Sequence, residues 1–246
     1  MNKKFLIALA AMSIFNLSNS DINLGENFKI ISVAKANEVD DIYQKKINEG
    51  IVLGNVLKHE QAAEKYTEAI NLKPDYFLAY DYRGESYYRL KRYEESIADF
   101  TKCIELNQNY TNAYIDRGHS YDEIGEYEKA VSDYKKVQEL SPNYVNGYYY
   151  CGNSYKNLKN YSAAIENYDK AIERNNRFDA AYYNRGLCYK ELGETEKAIE
   201  DLSKSIEIYS YNADAYHNRG ICYKNIGENE LAESDFETAR SLGYKE

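Results

Sequence analysis

From residue 43 onward, apolar and small residues recur at helical spacing, interrupted at intervals by a short polar break. Tyr114, Arg117, Gly118 and Tyr121 step by three and four and so share one helical face. A break follows at Gly125 and Glu126, after which Tyr127, Ala130, Val131, Tyr134 and Val137 resume the step. This predicts two helices joined by a tight turn. The pattern then repeats: Gly50, Gly84, Gly118, Gly152, Gly186 and Gly220 are each 34 residues apart. Tyr80, Tyr114, Tyr148, Tyr182 and Tyr216 stand four residues before their Gly, and Tyr87, Tyr121, Tyr155, Tyr189 and Tyr223 three after it, with Leu53 in the first unit. Twelve after it stand Ala62, Ser96, Ala130, Ala164, Ala198 and Ala232, and sixteen after it Tyr66, Phe100, Tyr134, Tyr168, Leu202 and Phe236. Units framed on these columns run 43–76, 77–110, 111–144, 145–178, 179–212 and 213–246 without an insertion, and both prolines, Pro74 and Pro142, share one column. Positions are counted below as places 1 to 34 of a unit.

Gly at place 8 and Ala or Ser at place 20 remove side chains where two antiparallel helices cross, so the backbones approach closely. Gly inside a helix costs about 1 kcal/mol relative to Ala, so six in one column imply a packing need. Aromatic neighbours fill the gaps between successive hairpins, which accounts for most of the 28 Tyr in a chain with no Trp. A further pair of columns varies together. Place 7 holds Glu49, Arg83, Arg117, Cys151, Arg185 and Arg219, and place 23 holds Lys65, Asp99, Asp133, Asn167, Asp201 and Asp235. These places lie equally far from a turn at place 15, so an ion pair is expected across each hairpin, reversed in the first unit and absent from the fourth.

The period and its Gly, Tyr, Ala and Tyr/Phe columns resemble the tetratricopeptide repeat over 43–246. Lys46 stands where an aromatic is usual at place 4, and His59, Thr195 and Asn229 depart from it at place 17. The resemblance implies an all-α fold, an α-solenoid wound as a right-handed superhelix of six helix-turn-helix repeats. Its first helices would line a concave face that holds a peptide or protein partner. By the same resemblance, places 2, 5, 9, 12 and 13 face that side. They supply Tyr88, Arg89, His119, Asp122, Tyr149, Asn153, Lys156, Asn157, Tyr183, Lys190, His217 and Lys224 as candidate partner-binding residues. With Asp81, Glu85 and Glu123 the face is acidic in units two and three, whereas Lys156, Lys190 and Lys224 form a basic stripe in units four to six. Tyr, Asn and Lys together suit peptide recognition through flat contact area, amide hydrogen bonds and charge steering. Chaperone-binding relatives clamp a carboxylate with Lys at place 5, but Tyr149 stands there, although Asn153 and Asn184 match. The alternatives are an inner wall that carries only water, and a self-associating envelope scaffold that uses its terminal repeats. At the far end Glu233 and Arg240 replace the Ile or Val of most earlier units, which partly solubilises it.

Lys+Arg 31 against Asp+Glu 40 gives a net charge of −9. Four Lys against Asp21 and Glu26 put residues 1–36 at +2, so the remainder carries about −11. Such a body argues against a nucleic-acid partner, which needs a basic surface to release counterions. Asn2-Lys3-Lys4 followed by the apolar run 5–15 matches the start of a secretory signal peptide. The run is shorter than the roughly 20 residues a membrane span needs. A leader at 1–36 is therefore expected, cleaved after Ser20 or Ala36, with 37–42 a short lead-in and the mature chain periplasmic or secreted; an uncleaved anchor or a cytoplasmic protein with an apolar start is the other reading. No phosphate loop, nucleophile elbow or carboxylate pair stands out, and neither a cofactor nor a metal is expected. His119 with Asp116 and Asp122 at helical spacing reads as a solvated polar face, or else as a cation clip. Cys103, Cys151, Cys188 and Cys222 form no CxxC. Cys188 and Cys222 share a column, where helices about 9–10 Å apart are too distant for a disulfide, so free thiols in small core sites are expected.

Overall fold

The computed structural model of the chain describes residues 24–245, with side chains from 32 onward except at 34. The apolar run at 5–15 and the cleavage point after Ser20 lie outside the described residues. Within them the chain forms twelve α-helices and no strand. The first hairpin pairs α1 (Leu24–Asn55) with α2 (His59–Leu72), and the second α3 (Phe77–Arg89) with α4 (Tyr93–Leu106). Then come α5 (Thr111–Glu123) with α6 (Tyr127–Leu140), and α7 (Val145–Asn157) with α8 (Tyr161–Arg174). The last two join α9 (Asp179–Glu191) to α10 (Thr195–Ile208) and α11 (Ala213–Asn225) to α12 (Asn229–Ser241). Helix α1 is longer than its counterparts. It runs through Ala36 and the expected lead-in at 37–42, which is helical, and Asp40 on that extension pairs with Lys73 after α2.

Each hairpin turns at place 15 in one way. Leu57, Lys91, Gly125, Lys159, Gly193 and Gly227 all have φ between 57° and 83°. In unit three the N–H of Gly125 donates to Asp122 O at 3.1 Å, and that of Glu126 to Tyr121 O at 2.9 Å. These two bonds satisfy the orphan carbonyls of α5 and end it in a left-handed cap. The other five turns repeat the pair. Glycine adopts this φ freely, whereas an L side chain there costs roughly 1–2 kcal/mol.

The place-8 glycines meet the need inferred from the sequence. A Cβ on Gly118 would lie 2.7 Å from the Tyr134 ring, and one on Gly152 2.6 Å from the Tyr168 ring. Both rings are fully buried, as are Phe100 and Leu202 in the same column. All four cysteines are free and buried. The first helices also touch along the array: α1 meets α3, α3 meets α5, α7 meets α9 and α9 meets α11, and no pair of second helices does so to the same extent. The row whose members approach one another is the inside of the bend, so the odd-numbered helices form the inner wall. The array is an α-solenoid.

Candidate ligand-binding face

The inner wall is held in register by the arginine column. Arg83 donates to both oxygens of Asp99 at 2.7 Å, and Arg117 to Asp133, Arg185 to Asp201 and Arg219 to Asp235 at 2.7–2.8 Å. The third N–H group of each reaches back to place 25 of the preceding unit: Thr67, Thr101, Asp169 or Ser203, at 2.5–3.0 Å. Every such arginine thus closes its own hairpin and ties it to the one before. In the first unit the reversed pair is loose, because Lys65 lies 3.9 Å from Glu49 and 2.6 Å from Glu68, which Lys46 also reaches. At the junction of units three and four the arginine is Cys151, and neutral bonds take over. Gln138 donates to Gly147 O at 3.3 Å and to Asn167 Oδ1 at 3.0 Å. These arginines are structural and offer little to a ligand.

On the wall itself, units four to six carry a ladder. Lys156 Nζ donates to Asn184 Oδ1 at 2.5 Å, and the Asn184 amide donates to Tyr149 Oη at 3.1 Å. One unit later Lys190 reaches Asn218 at 2.6 Å, and Asn218 reaches Tyr183 at 3.4 Å. Place 12 and place 5 of one unit therefore meet at place 6 of the next. Burial lowers the Lys156 pKa, yet each lysine keeps two further N–H donors. Lys156, Asn157, Lys190 and Asn218 line a recess of about 480 Å³ together with Lys159 and Tyr161. Lys224 continues the stripe and is exposed.

The same three places in units two and three hold different chemistry. Places 5 and 6 are Asp81 and Asp116, and place 12 is Tyr88, whose hydroxyl donates to Glu123 at 3.5 Å rather than to place 6. Asp81 accepts from Tyr110 Oη at 3.0 Å, while its other oxygen is buried with no partner. Burial pushes the Asp81 pKa up to about 6, against the Tyr110 hydrogen bond. Asp116 is pushed to about 7, first by burial and then by Asp81 and Glu85. This stretch of wall holds carboxylates without the lysine that its counterparts carry.

His119 and Asp122 differ from the solvated face expected of them. Tyr134 Oη donates to Asp122 at 2.8 Å and sits 2.9 Å from His119 Nδ1, while Ser154 donates to the other Asp122 oxygen at 2.7 Å. With its single proton given to Asp122, the tyrosine receives one from His119 Nδ1. The network spans α5, α6 and α7 and closes the junction that lacks an arginine. Asn153 accepts from Tyr168 Oη at 2.8 Å, and Tyr149 packs against Phe178 with ring centroids 4.8 Å apart. Arg89 lies 3.4 Å from Glu85 on the acidic stretch. His217 is stacked under Tyr244 at 4.0 Å, so the tail covers the last place 5. Among the described residues no group of three or more His, Cys, Asp or Glu is placed to hold a metal, and no helix is long and apolar enough to cross a membrane. The place-5-to-place-6 pairing escaped sequence reading, although Asn184 and Asn218 recur at 34 and were its signal.

Profiles described as tetratricopeptide repeat match residues 77–110, 180–212 and 202–234, and one described as TPR repeat matches 118–159 and 152–193, together more than half of the chain. Among solved structures the chain is similar to MamA, with 28% identity over 65% of this chain and 93% of that one and a TM-score of 0.63. It is similar also to YrrB, described as a TPR protein with an unusual peptide-binding site, with 22% identity over 74% and 93% and a TM-score of 0.63. A tetratricopeptide repeat protein from Parabacteroides merdae aligns at 22% identity over 83% and 81% with a TM-score of 0.72. The latter two bear on the fold alone. No curated protein matches the chain.

Proposed function

The chain belongs to the tetratricopeptide repeat family, and from that premise we propose that it is a non-catalytic interaction scaffold that holds an extended segment of a partner protein along its inner wall. The observation that carries this reading is the change of chemistry at one repeated position. Place 6 meets a lysine at Asn184 and Asn218 but none at Asp116. A bound segment therefore has a polarity. Acidic side chains, or carbonyl groups, approach Lys156, Lys190 and Lys224. A lysine or arginine of the partner approaches Asp81 and Asp116, where the chain's own lysine is missing. Tyr149 and Tyr183 supply flat contact area beside the lysines.

Titration calorimetry tests it with two block peptides of one composition, one basic then acidic along the chain and one reversed. One order should bind at least about tenfold more tightly than the other. Lys156→Glu with Lys190→Glu should remove that preference while helical content stays the same. Equal binding of both orders, or binding unmoved by the two substitutions, rules the groove out.

The setting in this proposal is outside the cytoplasm, on the strength of the basic start and apolar run of 2–15. Free cysteines are compatible with an oxidising compartment when they are buried. Desolvation lifts the Cys103 and Cys188 thiols to about 12 and Cys151 to about 11, far from the reactive thiolate. N-terminal sequencing of the protein from its own cells, together with its fractionation, checks export.

A further inference from the structure

The recess beside the lysine ladder is lined from four helices and one turn. Lys156 and Asn157 come from the end of α7, Lys159 from the turn after it, Tyr161 from the start of α8, Lys190 from the end of α9 and Asn218 from α11. Glu191 is the only carboxylate among the lining residues. Three lysines against that glutamate give the recess a charge of +2, in a chain whose net charge is −9. Gly125 and Gly193 hold place 15 in the units on either side, so the third cation, Lys159, marks this step of the lysine stripe alone.

These cations are held in place but not neutralised. Among the described residues none of Lys156, Lys159 and Lys190 forms an ion pair, whereas Lys102, Lys136 and Lys204 on the outer helices each hold a glutamate. Lys156 and Lys190 are half-buried, and their fixed partners, Asn184 and Asn218, are neutral amides. A cation drawn partly out of water without a counter-charge carries a cost that an incoming anion relieves. The asparagine oxygens also fix where the two ammonium groups stand, and each keeps two N–H donors for a ligand.

The charge and the donors select among anions. A carboxylate, or one phosphate of a diester backbone, brings a single negative charge. A phosphate monoester brings about −1.5 to −2 near neutral pH and three acceptor oxygens. Only the monoester matches a recess of charge +2 with a donor on every side. At about 480 Å³ the recess also has the size of a small-ligand pocket. We infer that it is a binding site for a phosphate monoester, held by Lys156, Lys159 and Lys190 with further donors from Asn157 and Tyr161. The inference rests on the reading above only in that Lys156 and Lys190 serve both, and it needs no extended segment. Two sources carry this chemistry, a phosphorylated side chain of a bound partner and a free small phosphate ester.

Titration calorimetry on the full chain at one ionic strength tests it with three probes: a neutral peptide bearing a single phosphoserine, the same peptide bearing glutamate instead, and glycerol 3-phosphate. At least one phosphate probe should bind about tenfold more tightly than the glutamate peptide. Tighter binding of the phosphopeptide points to a modified partner, and equal or tighter binding of glycerol 3-phosphate to a small ester. Lys159→Gly copies Gly125 and Gly193 and so keeps the turn; it should weaken phosphate binding about fivefold. Glu191→Gln should tighten it about threefold, and Lys204→Ala on the outer face should leave it unchanged. Glutamate bound as tightly as phosphoserine overturns the inference, as does no binding of either phosphate probe. A loss from Lys204→Ala equal to that from Lys159→Gly also overturns it, because diffuse charge would then be the cause. The preference of the wall for one block-peptide order should survive Lys159→Gly, since Lys159 lies off the ladder. Equal binding of both orders would therefore sink the extended-segment reading and leave this one standing on its own probes.

Discussion

Arg117 holds both oxygens of Asp133, at 2.8 Å from Nε and 2.7 Å from Nη2, and its remaining N–H group crosses to Thr101 of the preceding hairpin at 3.0 Å. Asp133 is buried, so the pair is not an ordinary surface bridge. Replacing Asp133 by Arg should cost about 3–5 kcal/mol, because a buried cation loses its partner and gains a like charge. Adding Arg117→Asp should recover most of that loss but leave a deficit of about 1 kcal/mol, the bond to Thr101 that a short carboxylate cannot make. Urea unfolding of the two single variants and the double variant measures the cycle. Purely additive losses would contradict it.

The left-handed column gives a second expectation. Lys159 has a φ of 57° and Gly193 a φ of 76°, at the same place in neighbouring units. Lys159→Gly should stabilise by about 0.5–1 kcal/mol, the relieved backbone strain less the entropy of a more flexible unfolded chain. Gly193→Ala should destabilise by about 1 kcal/mol. Opposite signs for the two substitutions in thermal melts are the check.

Asp81 and Asp116 make stability depend on pH. Both carboxyl groups have folded pKa values raised above their ordinary ones, to about 6 and about 7. The folded state therefore binds more protons, and the contribution is fully present below about pH 4 and lost as pH rises through 6 to 7. Asp116→Asn copies Asn184 and Asn218 at the same place and should stabilise by about 1–3 kcal/mol at pH 8, with little change at pH 4. Parallel pH profiles for the variant and the wild type would refute this.

The buried thiols supply a fourth test. A thiol-reactive dye should leave Cys103, Cys151 and Cys188 unmodified in the native protein at pH 8, since burial holds all three well above that pH. Labelling should follow the unfolding curve in urea. Rapid native labelling would mean that the hairpins open far more readily than their packing allows.

Much of this architecture is legible in the sequence because the solenoid repeats one solution. Gly118 and Tyr134 announce their contact through columns that recur at 34, and Arg117 with Asp133 does so through residues that change together. The rest is hidden for particular reasons. Place 15 is Gly in only three units, so its left-handed turn has no uniform residue to betray it; Lys91 and Lys159 look like ordinary surface residues. The bond from Arg117 to Thr101 depends on how far one hairpin is rotated against the next, which periodicity does not specify. His119 and Asp122 read as polar surface because the residues that bury them, Tyr134 and Ser154, come from two other helices. The expected wall residues fall on the inner helices, but Lys156 and Lys190 each give one of their three N–H donors to Asn184 and Asn218, a pairing visible only once neighbouring units are set side by side.

Helix α1 passes through Ala36 without a break. A peptidase takes its scissile bond in an unwound strand, and nicking concentrates where backbone is free of such structure. If residues 1–36 are an export leader cut after Ala36, as proposed above, the cut must therefore come before this helix winds. The order of maturation would be cut first and coil afterwards. A chain in which the helix formed first would hold residue 36 within continuous helix.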